Sequence, residues 1–196
     1  MSSNIETPGV DNPRDRVVIA ATRRWLEGAV IGLNLCPFAR APHAANRIRY
    51  AVSRADTVEA LVDDLQSELR RLVAADPDEC ETSLLIHPHV LVEFADYNDF
   101  LDVADKVLRR LRLVGQIQIA SFHPDYQFSG TPADDMGNFT NRSPYPMLHL
   151  LREDSIERAL FTYPEPERIY QRNIETLRAL GRAAWDRMAI GPAREE

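Results

Sequence analysis

Apolar and polar residues alternate along the chain with two different periods. Where apolar residues recur every three or four positions, the pattern predicts amphipathic helices. Where they alternate or form short runs, it predicts strands. The helical stretches are 13–33, 56–72, 97–111, 154–162 and 165–188, with a short helix near 147–151. The strand-like stretches are 47–53, 83–87 and 116–122. Strands therefore alternate with helices along most of the chain.

This order of elements predicts an α/β fold. Strands that are joined through helices usually pair in parallel. We therefore expect a small, mainly parallel sheet of about three strands, with flanking helices and a C-terminal helical extension. Residues 12–196 form a single domain in this interpretation, and the polar residues 1–11 form a disordered tail. The alternative is a ferredoxin-like α+β fold, which applies if His89 to Phe94 forms an extra antiparallel strand.

The composition excludes several classes of partner. The chain has 196 residues, 44% of them hydrophobic, and a net charge of −7. It lacks the clustered positive charge that nucleic acids and anionic membranes select, so we expect neither partner. The N-terminus has no apolar signal core, and the only cysteines, Cys36 and Cys80, form no CxxC motif. We therefore expect a cytoplasmic protein with both thiols reduced.

Two predicted strands end in the same way, with a histidine followed by a proline. The second ends LLIHP at His87, and the third ends ASFHP at His123. The carboxyl ends of parallel strands lie on one edge of a sheet, where open α/β sheets bind ligands, so the two imidazoles can face a shared crevice. Each His-Pro pair can equally be a strand-terminating turn around a half-buried imidazole.

The polar segment from His123 to Glu153 is the candidate site. It begins with a long loop whose aromatic residues favour an ordered loop over a disordered one. The guanidinium of Arg142 offers a planar fork of donors for a carboxylate or phosphate, or it forms an internal ion pair with Asp134 or Asp135. The predicted substrate-binding residues of the loop are Asn138, Asn141, Arg142 and Ser143.

Adjacent carboxylates in this loop suggest acid–base or metal chemistry. Asp134 and Asp135 could bind a divalent metal together with His123, or one of them could act as a general base. The alternative is an ordinary turn in ADDMGN.

The end of the polar segment supplies a second imidazole. His149 and Glu153 are four residues apart, so on the short predicted helix they share one face that could orient an imidazole or bind a metal. Arg152 could hold an anion, or Arg152 and Glu153 could cap the next helix. His149 and His123 are the two candidate catalytic imidazoles.

Cys36 follows the first predicted helix in the segment GLNLCPFAR. A thiol at the carboxyl end of a helix gains no help from the helix dipole, so its ionisation would need Arg40 or a nearby histidine. The residue is either a catalytic nucleophile or a buried structural cysteine.

Three segments, GLNLCPFAR, QIASFHPDYQFSGT and TNRSPYPMLHLLRE, resemble the bacterial domain-of-unknown-function 1415 family. The resemblance covers nearly the whole chain after the tail. It implies a bacterial cytosolic protein and assigns no catalytic roles.

Three functions fit these observations. The first is an enzyme, a hydrolase or transferase, that acts on a small anionic substrate with His123 as general acid/base and with Arg142 and Arg152 holding the anion. The second is a non-catalytic protein that binds a small ligand in the same pocket. The third is a thiol enzyme in which Cys36 is the nucleophile and His123 the base. The sequence identifies no cofactor.

Overall fold

The computed structural model describes residues 12–192, apart from the side chain of Thr162, so the predicted tail at residues 1–11 lies outside the described residues. The strands are β1 (Ile48–Val52), β2 (Thr82–Ile86), β3 (Ile117–Phe122) and β4 (Met147–Arg152). The helices are α1 (Pro13–Trp25), α2 (Arg40–Ala44), α3 (Val58–Ala74), α4 (Phe94–Leu111), α5 (Glu153–Thr162), α6 (Ile169–Leu180) and α7 (Arg182–Arg187). A π-helical segment, Leu26–Ile31, continues α1, and short 3-10 helices cover Met136–Thr140 and Pro166–Arg168.

The four strands form one mixed sheet in the order β1-β2-β4-β3. β1 and β2 are parallel, whereas β4 runs antiparallel to both of its neighbours. The α/β class is confirmed, but the mainly parallel sheet of about three strands is wrong, because β4 runs back between β2 and β3. The ferredoxin-like alternative also placed its extra strand wrongly, since α4 begins at Phe94 and no strand forms between His89 and Phe94.

β4 occupies the stretch that the sequence predicted as a short helix near 147–151. The segment MLHLL is apolar at every position but one, so it shows neither the helical nor the strand period. Such a run is typical of a central strand whose two faces are both covered, and Met147, Leu148 and Leu150 are fully buried. His149 and Glu153 therefore do not share a helical face, because His149 lies in β4 and Glu153 begins α5.

The two faces of the sheet carry separate cores. One face packs on α3 and α4 through side chains such as Leu65, Tyr97 and Leu148. The opposite face packs on the N-terminal helix, the π-helical segment and the C-terminal helices, through side chains such as Trp25, Leu84 and Leu177. This three-layered arrangement, with helices on both sides of the sheet, buries both faces of the central strands, as their apolar composition requires.

Smaller differences concern helix ends. The helix predicted over 56–72 begins two residues later, as α3, after the N-cap Thr57, whose hydroxyl accepts a hydrogen bond from the Ala60 N–H at 3.2 Å. The last predicted helix, 165–188, is interrupted at Gly181, where the backbone has a φ of 72°. Among residues 12–192, no helix combines the length and the apolar composition that crossing a membrane requires.

Candidate ligand-binding cavity

A cavity of about 600 Å³ lies on the face of the sheet opposite to α3 and α4. We call it the sheet-face cavity. Its floor is the sheet, and its other walls come from the π-helical segment, the segment 36–42 that leads into α2, and α5. Apolar side chains cover most of its surface, among them Trp25, Leu26, Val30, Phe38, Ile156 and Tyr163. Ligand sites of small-molecule-binding proteins have this size and this mainly apolar lining.

The strand register brings a single imidazole to the middle of the floor. His149 of β4 is paired with Leu84 of β2 on one side and with Ala120 of β3 on the other. All three side chains point into the sheet-face cavity, because directly paired residues lie on the same face of a sheet. His149 is therefore flanked by apolar neighbours on both sides.

The imidazole of His149 is held in one orientation by Thr82. Its Nε2 atom lies 2.7 Å from the Thr82 hydroxyl, which in turn donates to the carbonyl oxygen of Leu150 at 2.6 Å. The hydroxyl has only one hydrogen, so it must accept from His149 Nε2–H. Burial lowers the pKa of His149 to about 4, because the charged imidazolium loses its hydration. The ring is therefore neutral at physiological pH.

One end of the cavity is polar. Arg47 lies there in an ion pair with Glu81, with 3.1 Å between Nη1 and Oε2, and in a weaker one with the exposed Asp78. Arg152 also lines this end, but its Nη2 donates to three backbone carbonyls, those of Leu72, Ala75 and Cys80. The first two lie at the carboxyl end of α3, where a cation compensates the helix dipole. The predicted anion-binding Arg152 thus has its own structural partners.

Cys36 lines the same cavity as His149. Burial raises the pKa of its thiol, and the backbone N–H groups of Phe38 and Ala39, which point at the sulfur, only partly oppose this effect. The thiol form therefore dominates at neutral pH. His123, the base that the thiol-enzyme hypothesis pairs with Cys36, follows β3 and contacts Phe94 and Tyr97 on the α4 side.

His87 and His123 lie on one edge of the sheet, as predicted. Their strands run in the same direction, but they are not neighbours, because β4 separates them. Tyr97 lies between the two imidazoles, with ring centroids 5.8 Å from His87 and 5.0 Å from His123. Both histidines are fully buried, and burial lowers the pKa of each.

These two histidines hold the loop that follows β2. His87 Nδ1 donates to the carbonyl oxygen of Val90 at 3.0 Å. His123 accepts from the Asp125 N–H at Nδ1, so its Nε2 is the donor that faces the carbonyl oxygen of Leu91 at 3.3 Å. Leu91 has a φ of 56°, a conformation that needs such fixed neighbours in a residue other than glycine. The structure thus gives both imidazoles a structural role.

The predicted binding residues of the long loop make their hydrogen bonds within the protein. Asn138 is fully buried and bonds to Phe128 and Thr131 through Oδ1 and to Pro132 through Nδ2. Asn141 donates to the carbonyl oxygen of Ser121, and Ser143 to that of Tyr145. These bonds organise the loop, and the substrate-binding roles stay predictions.

The Arg142 side chain also bonds within this loop. Its Nε and Nη2 donate to the carbonyl oxygens of Tyr126 and Ala133 at 3.3 Å and 2.7 Å, and its guanidinium lies 4.2 Å above the ring centre of Phe139. The short helix predicted near 147–151 cannot add N–H groups to an anion site at Arg142, because Met147 begins β4. The predicted ion pair of Arg142 with Asp134 or Asp135 is also not formed, since Asp135 pairs with Arg178 at 3.0 Å.

Asp134 and Asp135 do not form the predicted metal site with His123. Asp135 caps the 3-10 helix by accepting from the Gly137 N–H at 2.7 Å, and Asp134 is exposed. Among residues 12–192, no three histidine, cysteine, aspartate or glutamate side chains form a group that could hold a metal ion. The trio of Asp134, Asp135 and His123 is therefore not assembled.

Sequence reasoning named His149, Cys36 and Arg152 but missed most of the cavity around them. Thr82, which fixes the imidazole, lies one residue before the predicted strand 83–87 and belongs to no motif. The available signal was the lone histidine in the apolar run MLHLL, which marks a polar group among buried neighbours. The walls of the cavity come from segments that are far apart in the chain, so no local sequence pattern predicts them.

Fold and site together define an α/β protein with a ligand-sized cavity over one face of a mixed sheet. The chain matches the family model described as "Protein of unknown function (DUF1415)" over residues 17–187, and it belongs to that family. No curated protein and no solved structure matches the chain.

Proposed function

We propose that this protein binds a small, largely apolar molecule in the sheet-face cavity. The observation that carries the proposal is the cavity itself, about 600 Å³ with mainly apolar walls around one neutral imidazole. Protein interiors are packed as densely as organic crystals, so open apolar space of this size is unusual in a folded domain. Apolar surface that a ligand would cover favours binding by about 25 cal/mol per Å².

Binding is better supported than catalysis by the groups on the cavity wall. Covalent chemistry at Cys36 needs a thiolate, whereas burial raises the pKa of this thiol. His149 has a free acceptor nitrogen but no carboxylate partner that would strengthen it as a base, because its other nitrogen bonds to a neutral hydroxyl. A thiol enzyme that uses His149 in place of His123 remains the second candidate, since Cys36 and His149 line one cavity.

An enzyme acting on an anion has weaker support. Arg142 donates through Nε and Nη2, and Arg152 through Nη2, to backbone carbonyls. Both nitrogens of His123 are likewise engaged within the protein. An anionic substrate that is held through these nitrogens would have to compete with the carbonyls for them.

We further propose that the protein is a bacterial cytosolic one. Cys36 and Cys80 are free thiols in the structure, and a reducing compartment keeps such thiols unpaired.

The proposal is tested by filling the cavity. Ala159 of α5 lines it, so Ala159→Trp should occupy the space that a ligand needs. N-phenyl-1-naphthylamine, a neutral probe that fluoresces in apolar surroundings, should bind the wild-type protein as one molecule per chain. We expect its affinity to fall by about tenfold or more in the variant, which corresponds to some 1.4 kcal/mol.

Ala74→Trp is the matched control, because Ala74 is an exposed helical alanine in α3 that does not line the cavity. It should bind the probe like the wild type. A probe that does not bind the wild type, or that binds all three proteins equally, would refute the proposed function.

A further inference from the structure

The hydrogen bonds around His149 decide which kind of group it offers to a ligand. The Thr82 hydroxyl donates its only hydrogen to the carbonyl oxygen of Leu150, at 2.6 Å. It can therefore meet His149 Nε2, at 2.7 Å, only as an acceptor, which places the imidazole hydrogen on Nε2. The lone pair of the ring is then on Nδ1.

This Nδ1 atom can be reached from the cavity. It bonds to none of the described residues, and it is absent from the buried polar atoms that lack a hydrogen-bond partner. It is thus accessible on a side chain that lines the sheet-face cavity. A ligand that bonds to it must supply a hydrogen.

The lone pair of His149 Nδ1 opposes an anion at this point. An anionic oxygen would place its lone pairs against the lone pair of Nδ1. The pKa of His149, about 4, keeps the ring from becoming a cation that could compensate. Arg47 is paired with Glu81, Arg152 donates through Nη2 to backbone carbonyls, and the Nε atoms of both arginines are buried.

We propose that the ligand is an uncharged, largely apolar molecule bearing a hydroxyl group that donates to His149 Nδ1. The inference rests on the proposed function and narrows its ligand class. Apolar residues such as Leu84, Ala120 and Phe122 cover the body of the molecule, and the single acceptor selects the polar group. A buried acceptor discriminates strongly against a ligand that leaves it unpaired.

Three naphthalenes with different polar groups test the inference. 2-Naphthol carries a hydroxyl donor, 2-methoxynaphthalene carries an ether that cannot donate, and 2-naphthoate carries an anion. Each is titrated at neutral pH against bound N-phenyl-1-naphthylamine. We expect 2-naphthol to bind the wild type about fivefold to tenfold more tightly than either of the others, the yield of one buried hydrogen bond.

Two variants locate the effect. His149→Phe keeps a ring but removes the acceptor, so 2-naphthol and 2-methoxynaphthalene should bind it equally well. Thr82→Val removes the hydroxyl that fixes the tautomer, so Nδ1 of His149 can also carry the hydrogen. The affinity of 2-naphthoate should therefore rise relative to that of 2-naphthol. The second variant keeps the test decisive even if the first does not fold.

The outcomes separate the two claims. Equal binding of all three compounds to the wild type, blocked by Ala159→Trp, would overturn the hydroxyl inference and leave the binding function standing. Tighter binding of 2-naphthoate than of 2-naphthol would also overturn the hydroxyl inference and leave the binding function standing, and it would indicate an anionic ligand. Failure of every compound to displace a probe that Ala159→Trp excludes would overturn only the hydroxyl inference. Binding of the probe and of the compounds that ignores Ala159→Trp would overturn both.

Discussion

Three histidines, His87, His123 and His149, show how single hydrogen bonds assign different tasks to the same side chain. His87 donates through Nδ1 and His123 through Nε2, each to a carbonyl of the loop after β2. His149 donates through Nε2 to a hydroxyl and leaves Nδ1 open to a cavity. The first two therefore tie the chain together, whereas the third leaves a ring nitrogen open to the cavity. The sequence could identify the histidines but not the partners that distinguish them.

Acid should destabilise the protein through His87. Its pKa is about 4 in the folded state, against an ordinary value of 6.5, because burial disfavours the charged ring. Between these values the unfolded chain binds more protons, so stability is fully present above the ordinary pKa and falls as pH decreases towards the folded one. His87 alone contributes up to about 3 kcal/mol to this loss.

His87→Asn removes the titrating group and keeps a donor for the carbonyl oxygen of Val90. We expect the variant to be less stable at neutral pH but to lose less stability on acidification than the wild type. Urea denaturation across the acid range measures this, and the carboxylates shared by both proteins cancel in the comparison. Equal losses would mean that His87 already carries a proton when folded, or is open to water.

At the scale of elements, the π-helical segment shapes the cavity. The Gly32 N–H bonds to the Glu27 carbonyl five residues back, at 2.9 Å, and Leu26 and Val30 project into the cavity from this wider turn. A Cβ at Gly32 would run into the carbonyl oxygen of Gly28. The sequence predicted one continuous helix over 13–33. It carried no signal for the change of helical pitch.

Gly32→Ala should therefore destabilise the protein, by about 2 kcal/mol as in other overpacked sites. The sign of this stability change is informative. Gly32 has helical backbone angles, φ −65° and ψ −41°, at which alanine ordinarily stabilises a helix relative to glycine by about 1 kcal/mol. Gly191→Ala is the control, since nothing lies near its Cβ position, and should change stability by less than about 0.5 kcal/mol. A stabilised Gly32→Ala protein in urea denaturation would contradict the π-helical geometry.

Periodic elements were predictable and β4 was not, for a physical reason. α3 and α4 each bury one face, so their sequences carry the helical period. β4 is covered on both faces, and its apolar run MLHLL has no period from which to choose between helix and strand. Because β4 was predicted as a helix, the predicted sheet was parallel instead of mixed. For the same reason the prediction did not place His149 on the floor of the cavity.

At the scale of the whole molecule, the two faces of the sheet serve different ends. The face against α3 and α4 is filled by a continuous apolar core that includes Leu65 and Leu148. The other face is only partly filled, because the sheet-face cavity separates the strands from α5 and the segment 36–42. The first face supplies stability, and the second has room for a ligand. The predicted site in the polar segment included His149, but its other residues mainly shape the loop around the sheet.

The central claim, that His149 offers a neutral acceptor to a ligand in the cavity, is tested most directly by nitrogen NMR of the histidine rings. In protein labelled with ¹⁵N-histidine, with His149→Phe providing the assignment, we expect His149 at neutral pH to show a protonated Nε2 and an unprotonated Nδ1. Adding 2-naphthol should shift the His149 Nδ1 resonance strongly and leave the resonances of His87 unchanged. A hydrogen on Nδ1, or an Nδ1 resonance that does not move while 2-naphthol binds, would contradict the account.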